Sequence, residues 1–172
     1  MPSNTDNTAR LAKELWNAAL QLEAADFQSR FDSIYSAAEG PATLWHLGGA
    51  ASDYLRAQPN SVCIPEKLPG LLLSSPLVDG RIVGLKLSNR LCLDPNRIVE
   101  AVCKALDSTN NNEVVGGLYE LSELADRTSV PRNYGSPALL ARLRKLVLSG
   151  DGYVAEASKR MHRAFSGEPA PG

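Results

Sequence analysis

The chain is poor in the residues from which catalytic and metal centres are usually built. Of its 172 residues only two are histidine, His46 and His162, and neither belongs to an HxxxH or HExxH pair. This argues against a zinc site, which draws on closely spaced His and Cys ligands. The three cysteines, Cys63, Cys92 and Cys103, are odd in number and widely spaced. No CxxC pair is present to suggest a zinc or redox centre, so the cysteines read as reduced, mostly buried small hydrophobes. Glycines at 48–49, 116–117 and 150–152 form neither GxGxxG nor the lysine-bearing phosphate loop, which leaves them as turns and caps. Long apolar runs are missing too. The longest, Leu68 to Val78, is interrupted by Pro69, Gly70, Ser74, Ser75 and Pro76 and falls short of the roughly 20 residues that span a bilayer. The polar start, Met1 to Thr8, lacks the basic-then-apolar layout of a secretory leader. No membrane partner, cofactor, metal ligand or catalytic residue is therefore expected, and a cytosolic setting is the default.

What is present is an ordinary globular composition, 44% hydrophobic and 22% charged, at a length that suits one domain with one core. Leu11, Leu15, Ala18 and Leu22 repeat at helical spacing. After Ala25 the apolar phase shifts to Phe27, Phe31, Ile34 and Ala38, so residues 7–38 predict two helices or one with a break. Gly40-Pro41 stops the pattern, and residues 42–58 predict a short helix weakened by Gly48 and Gly49. Between residues 60 and 93, prolines and glycines punctuate the apolar runs Val62 to Ile64, Leu71 to Leu73 and Ile82 to Leu87, which predicts a small, short-stranded β region. Asp94-Pro95 is a cap followed by a first-turn proline, opening a helix through Leu106. Asp107 to Asn112 reads as a loop, and a short helix is expected between Gly117 and Pro131. Ser136-Pro137 repeats the cap-proline signal ahead of Leu139, Leu140, Leu143, Leu146 and Val147. A basic helix follows from Tyr153 to Phe165. The fold expected is mainly α: a four-helix-bundle-like core with that small β region, as a single helical domain over 1–166 and a flexible C-terminal tail over 167–172.

Charge is distributed unevenly. From Met1 to Asp126 there are 10 Lys and Arg against 16 Asp and Glu, whereas Arg127 to Arg163 holds 8 against 2. Such a division points to an anionic partner or to subunits meeting acidic end to basic end, and equally to halves that neutralise one another inside one fold. Arg142 and Lys145 share a helix face while Arg144 points elsewhere, as in a solvated helix. Arg127 and Arg132 flank a loop-like stretch between two helices, where guanidinium forks would suit phosphate.

Three stretches resemble the coat protein family of tobacco mosaic virus. Asn17-Ala18-Ala19-Leu20 followed by Asp26-Phe27-Gln28 resembles the family's turn between its first two helices. Leu93-Asp94-Pro95 leading to Ala105-Leu106-Asp107-Ser108-Thr109-Asn110 is similar to its third helix and exit. Leu139 to Tyr153, ending Ser-Gly-Asp-Gly-Tyr, resembles the end of its fourth. The chain departs from the family in carrying Asn110 to Asn112 where arginines follow the third helix, and in lacking an arginine-then-acidic opening around Arg132.

The resemblance implies a structural, non-enzymatic capsid protein that self-assembles helically around single-stranded viral RNA, located in the virion and the host cytoplasm. Arg127 and Arg132 would be its RNA-binding residues, and Phe27, Phe31, Leu139, Leu143 and Leu146 would hold the bundle. Two rival readings stand beside it: a helical adaptor, immunity or regulatory module that binds a protein and no nucleic acid, and a small enzyme using Cys63, Cys92 or Cys103.

Overall fold

A computed structural model describes residues 4–149 and 151–168, and the fold they form is helical, with no strand among the described residues. The chain divides into two compact units, Met1–Leu91 and Cys92–Gly172. Of the tail expected over 167–172, residues 169–172 lie outside the described residues.

In the first unit, α1 (Asn4–Ala18) and α2 (Ala24–Ser36) are separated by a 3-10 turn at Ala19–Gln21, the break expected from the phase change after Ala25. α3 (Pro41–Ala57) runs for 17 residues, longer than its glycines suggest. It packs against α1 as well as against the shorter helices α4 (Lys67–Leu73) and α5 (Val78–Arg90). The glycine pair makes this possible. A β-carbon on Gly49 would lie 2.5 Å from the Trp16 indole on α1, and one on Gly48 would lie 2.5 Å from Leu72 and 2.8 Å from Val83 on α4 and α5. Each glycine loses about 1 kcal/mol of helix propensity, and the close approach of neighbouring helices offsets it. Behind α3, Phe27, Phe31 and Tyr54 are fully buried. Phe27 stacks on Tyr54 with centroids 4.1 Å apart, and the Tyr54 hydroxyl donates to the Leu22 carbonyl at 3.1 Å.

The β region expected between residues 60 and 93 is not seen, because α4 and α5 occupy most of it. Pro69 is the third residue of α4, in the first turn, where a missing N–H leaves no intrahelical bond unmade. On α5 the buried residues Gly80, Val83, Gly84, Leu85, Leu87, Ser88 and Asn89 surround most of the helix. A helix buried on most sides shows no one-sided 3.6-residue stripe, so its apolar run looks like a strand's.

In the second unit, α6 (Pro95–Leu106), α7 (Asn111–Arg127), α8 (Pro137–Ser149) and α9 (Gly152–Ser166) surround a core that includes Ile98, Val102, Leu118, Leu121, Leu139, Leu143 and Phe165. The start signals act as expected: Asp94 accepts from the Asn96 amide at 3.0 Å, and Ser136 from the Leu139 amide at 3.2 Å. Of the polar run expected as a loop, residues 107–110 link α6 to α7, while Asn111 and Asn112 already open α7. Asn110 caps α7 by accepting from the amides of Asn112 and Glu113 at 3.0 and 3.4 Å, which moves the start of α7 ahead of Gly116 and Gly117. The side chains expected to hold one bundle are thus distributed over both units, Phe27 and Phe31 in the first, Leu139 and Leu143 in the second, with Leu146 half-buried.

Candidate nucleic-acid interface

Three cations without a partner among the described residues share one helix of the second unit. α9 buries Val154, Ala157, Ser158, Met161, His162 and Phe165, and the helical repeat places Lys159, Arg160 and Arg163 on the side away from them. Lys159 and Arg163 are four apart and Arg160 and Arg163 three apart, so the three charges are neighbours. Arg160 and Arg163 are exposed and Lys159 half-buried. None of the three side chains makes an ion pair or hydrogen bond with the described residues.

The 3-10 turn at Pro131–Tyr134 extends this strip. It packs on α9, where Gly135 lies against the Phe165 carbonyl so closely that no β-carbon fits. That contact brings Arg132 alongside the end of α9: its Cδ is 4.0 Å from the position a β-carbon of Gly167 would take, and Gly167 is bonded back to the Arg163 carbonyl. Arg132 is exposed and its side chain makes no ion pair or hydrogen bond with the described residues, and in sequence the cations beside it on α9 are legible only as a basic helix. The nearby carboxylates are Glu156, one turn before Arg160, and Glu168 beyond the helix end.

Three arginines near the strip make side-chain contacts, whereas Arg97 on α6 and Lys145 on α8 are exposed and make none with the described residues. Arg127, the second residue expected to meet RNA, ends α7 and donates to the Leu93 carbonyl at 3.3 Å. Arg142 lies on the α6 side of α8, where its Nε and Nη2 donate to Asp107 at 2.9 and 2.6 Å; the bond to Asp107 holds its pKa above the ordinary value. The basic cluster of α8 is therefore more than a solvated face. On the other side of α8, Arg144 Nε donates to His162 Nε2 at 3.0 Å. Lys159 precedes His162 by three residues, so Arg144 borders the same strip.

His162 is 1% exposed. Because Nε2 accepts from Arg144, the ring is neutral with its proton on Nδ1, from which it reaches Ser166 Oγ at 3.4 Å. Burial first, then the Arg144 charge, lowers its pKa, while Glu168 pulls the other way. Nothing in the sequence marked this histidine, since its partner lies 18 residues away.

The cysteine expectation needs correction. Cys63 and Cys92 are exposed, and only Cys103 is buried. Cys103 borders a cleft of about 360 Å³ with Val99, Tyr134, Ser136, Ala138 and Arg142. Burial pushes its thiol pKa up against the pull of Arg142, the reverse of an activated thiolate. No group of three or more His, Cys, Asp and Glu side chains able to hold a metal occurs among the described residues, and no described helix is long and apolar enough to cross a membrane. Comparison with known proteins returns nothing: no family profile, curated protein or solved structure matches the chain.

Proposed function

We propose that this chain is a structural coat protein that packages single-stranded RNA, gripping the phosphate backbone through Arg132, Lys159, Arg160 and Arg163. The observation that carries the reading is the run of cations along α9 and the turn before α8 that make no ion pair or hydrogen bond among the described residues. Cations that make no protein ion pair are free to displace counterions from a polyanion, and backbone contacts of this kind need no base recognition. Arg132 keeps the role expected of it. Arg127, tied to the Leu93 carbonyl, becomes a peripheral contact. In this reading α6 to α9 are the four-helix core.

Self-assembly is the other half of the proposal. Leu148 and Tyr153, at the α8–α9 turn, are 74% and 57% exposed, and Leu20 is 66% exposed. Apolar side chains left open in this way suit lateral contacts, and head-to-tail contacts that do not close build filaments rather than rings. The role is structural and needs no cofactor, and its setting is the virion and the host cytoplasm.

The test is negative-stain electron microscopy from pH 5 to 8, with and without single-stranded RNA, on wild type and on the pair Arg160→Glu with Arg163→Glu. Rods, discs or helical fragments in wild type, with RNA protection lost in the charge-reversed protein, support the proposal. Rods whose RNA stays fully protected after the reversal rule out this strip.

A protein-binding adaptor is the second reading, favoured by the half-exposed Trp16 and Trp45 beside His46 on the first unit. Paired aromatics of this sort commonly anchor protein interfaces. Uniform small particles under every condition favour it.

A further inference from the structure

The contact between Arg144 and His162 has a property that the rest of the strip lacks: it exists only while the imidazole is neutral. Arg144 Nε is the donor and His162 Nε2 the acceptor, 3.0 Å apart, and a proton on Nε2 removes the only lone pair the guanidinium can use. It also places two cations in contact beneath a surface where His162 is 1% exposed. Arg144 is exposed and can swing into solvent, whereas His162 is fixed in the core of the unit. Acidification therefore breaks the pair by releasing the arginine.

The surroundings set which way the balance falls. Arg144 faces the imidazole from α8, and Glu168 acts on it from beyond the end of α9. On α9 itself Lys159 is three residues before His162 and Ser166 four after it, the latter within 3.4 Å of Nδ1. The turn carrying Arg132 packs on the same helix end. α7, also packed on α9, buries two carboxyl side chains, Glu113 and Glu120, of which Glu113 receives the Ser108 hydroxyl at 2.7 Å. Once His162 is charged, Glu168 is the exposed carboxylate placed to stabilise it as Arg144 leaves.

We infer that the Arg144–His162 hydrogen bond is an acid-opened latch: protonation of His162 releases Arg144 into the strip of Arg132, Lys159, Arg160 and Arg163, and phosphate binding strengthens below neutral pH. The inference rests on the phosphate-binding reading of that strip and adds its regulation. His46 is the chain's only other histidine, so few groups compete for a response in this pH range.

The test measures polyuridylate binding by the full chain at pH 7.5 and pH 5.0 at constant ionic strength. One added phosphate contact on a single strand steepens the salt dependence by about 0.7 and raises affinity about fivefold near 0.1 M salt. Wild type and His46→Gln should show this gain on acidification. Arg144→Gln should bind with little pH dependence, and so should His162→Gln, whose amide still accepts from Arg144 but does not titrate.

Because His162→Gln alters a buried site, the same transition is followed in wild type by nitrogen-15 NMR. A slowly exchanging Arg144 Nε–H at pH 7.5 should be lost as His162 titrates. An undiminished acid gain in Arg144→Gln, a His162 that stays neutral to pH 5, or an Nε–H signal unchanged through its titration each overturns the latch. If wild type binds polyuridylate at neither pH, the phosphate-binding reading fails, and the NMR titration alone decides whether the latch exists.

Discussion

The two units bring almost the same charge and use it differently. Up to Leu91 the chain has 8 Lys and Arg against 9 Asp and Glu, and from Cys92 onward 10 against 10. In the first unit the two signs alternate along the sequence. In the second they separate: residues 92–126 hold 2 basic against 7 acidic residues, and everything after Asp126 holds 8 against 3. The acidic-to-basic division of the sequence is therefore a property of one unit, with α6 and α7 as its acidic part and the helices after them as its basic part. One ion pair, Asp107 with Arg142, joins the two parts directly. A charge asymmetry seen in sequence acquires functional meaning only when the fold shows which charges are left unpaired.

The cores differ as well. The first unit is held by stacked aromatics and by small residues that let helices approach closely, the second mainly by aliphatic side chains and helix caps.

The sharpest way to break the comparison is at Tyr54. Tyr54→Ala removes a fully buried ring stacked on Phe27 and should cost about 3–5 kcal/mol, read by denaturant unfolding. Hydrogen exchange then tells whether the cores act independently: retained protection of α6 to α9 means that they do, and its loss means one cooperative unit.

Gly49→Leu should follow, at about 1–3 kcal/mol or more, because the new side chain meets the Trp16 ring. Tryptophan fluorescence reports the displacement directly, and an unchanged spectrum with unchanged stability would contradict the packing described here. In the second unit, Asn110→Ala should cost about 1 kcal/mol by uncapping α7, and a cost near zero would return residues 110–112 to the loop expected from sequence.

Each unit also carries one histidine whose pKa lies below its ordinary value, in both cases mainly through burial. In both, the unfolded chain takes up its proton first as pH falls. The stability each contributes is complete above the ordinary histidine range of about 6.5 and declines as pH drops toward the folded value. His162→Gln should flatten that acid-side decline in the second unit and leave the first unchanged, which thermal melts followed residue by residue can check. Asp107→Asn is expected to have the smallest effect, about 0.2–1 kcal/mol, since both partners of its pair with Arg142 are substantially exposed.

Much of this architecture is legible in sequence wherever the deciding interaction is local. Asp94-Pro95 and Ser136-Pro137 predict the starts of α6 and α8 because a cap bonds within three residues and proline fixes its own φ. The phase change after Ala25 separates α1 from α2 for the same reason: an amphipathic stripe is written in neighbouring residues. Of the candidate site, Arg132 could be found as a cation beside a turn-forming proline, and α9 as a basic helix.

What only the tertiary structure decided depends on residues distant in the chain. Most of residues 60–93 are helical although their apolar runs resemble strands, because α5 is buried over most of its circumference and shows no one-sided stripe to reveal its period. Gly48 and Gly49 lie inside a long helix because Trp16 and Leu72 need the space of a β-carbon. Arg127, Arg142 and Arg144 look as free as Arg132 in sequence, yet Leu93, Asp107 and His162 hold them through contacts that span from 18 to 35 residues. Spacing shows where a charge stands, but whether it is free for a partner is settled by what the fold places beside it.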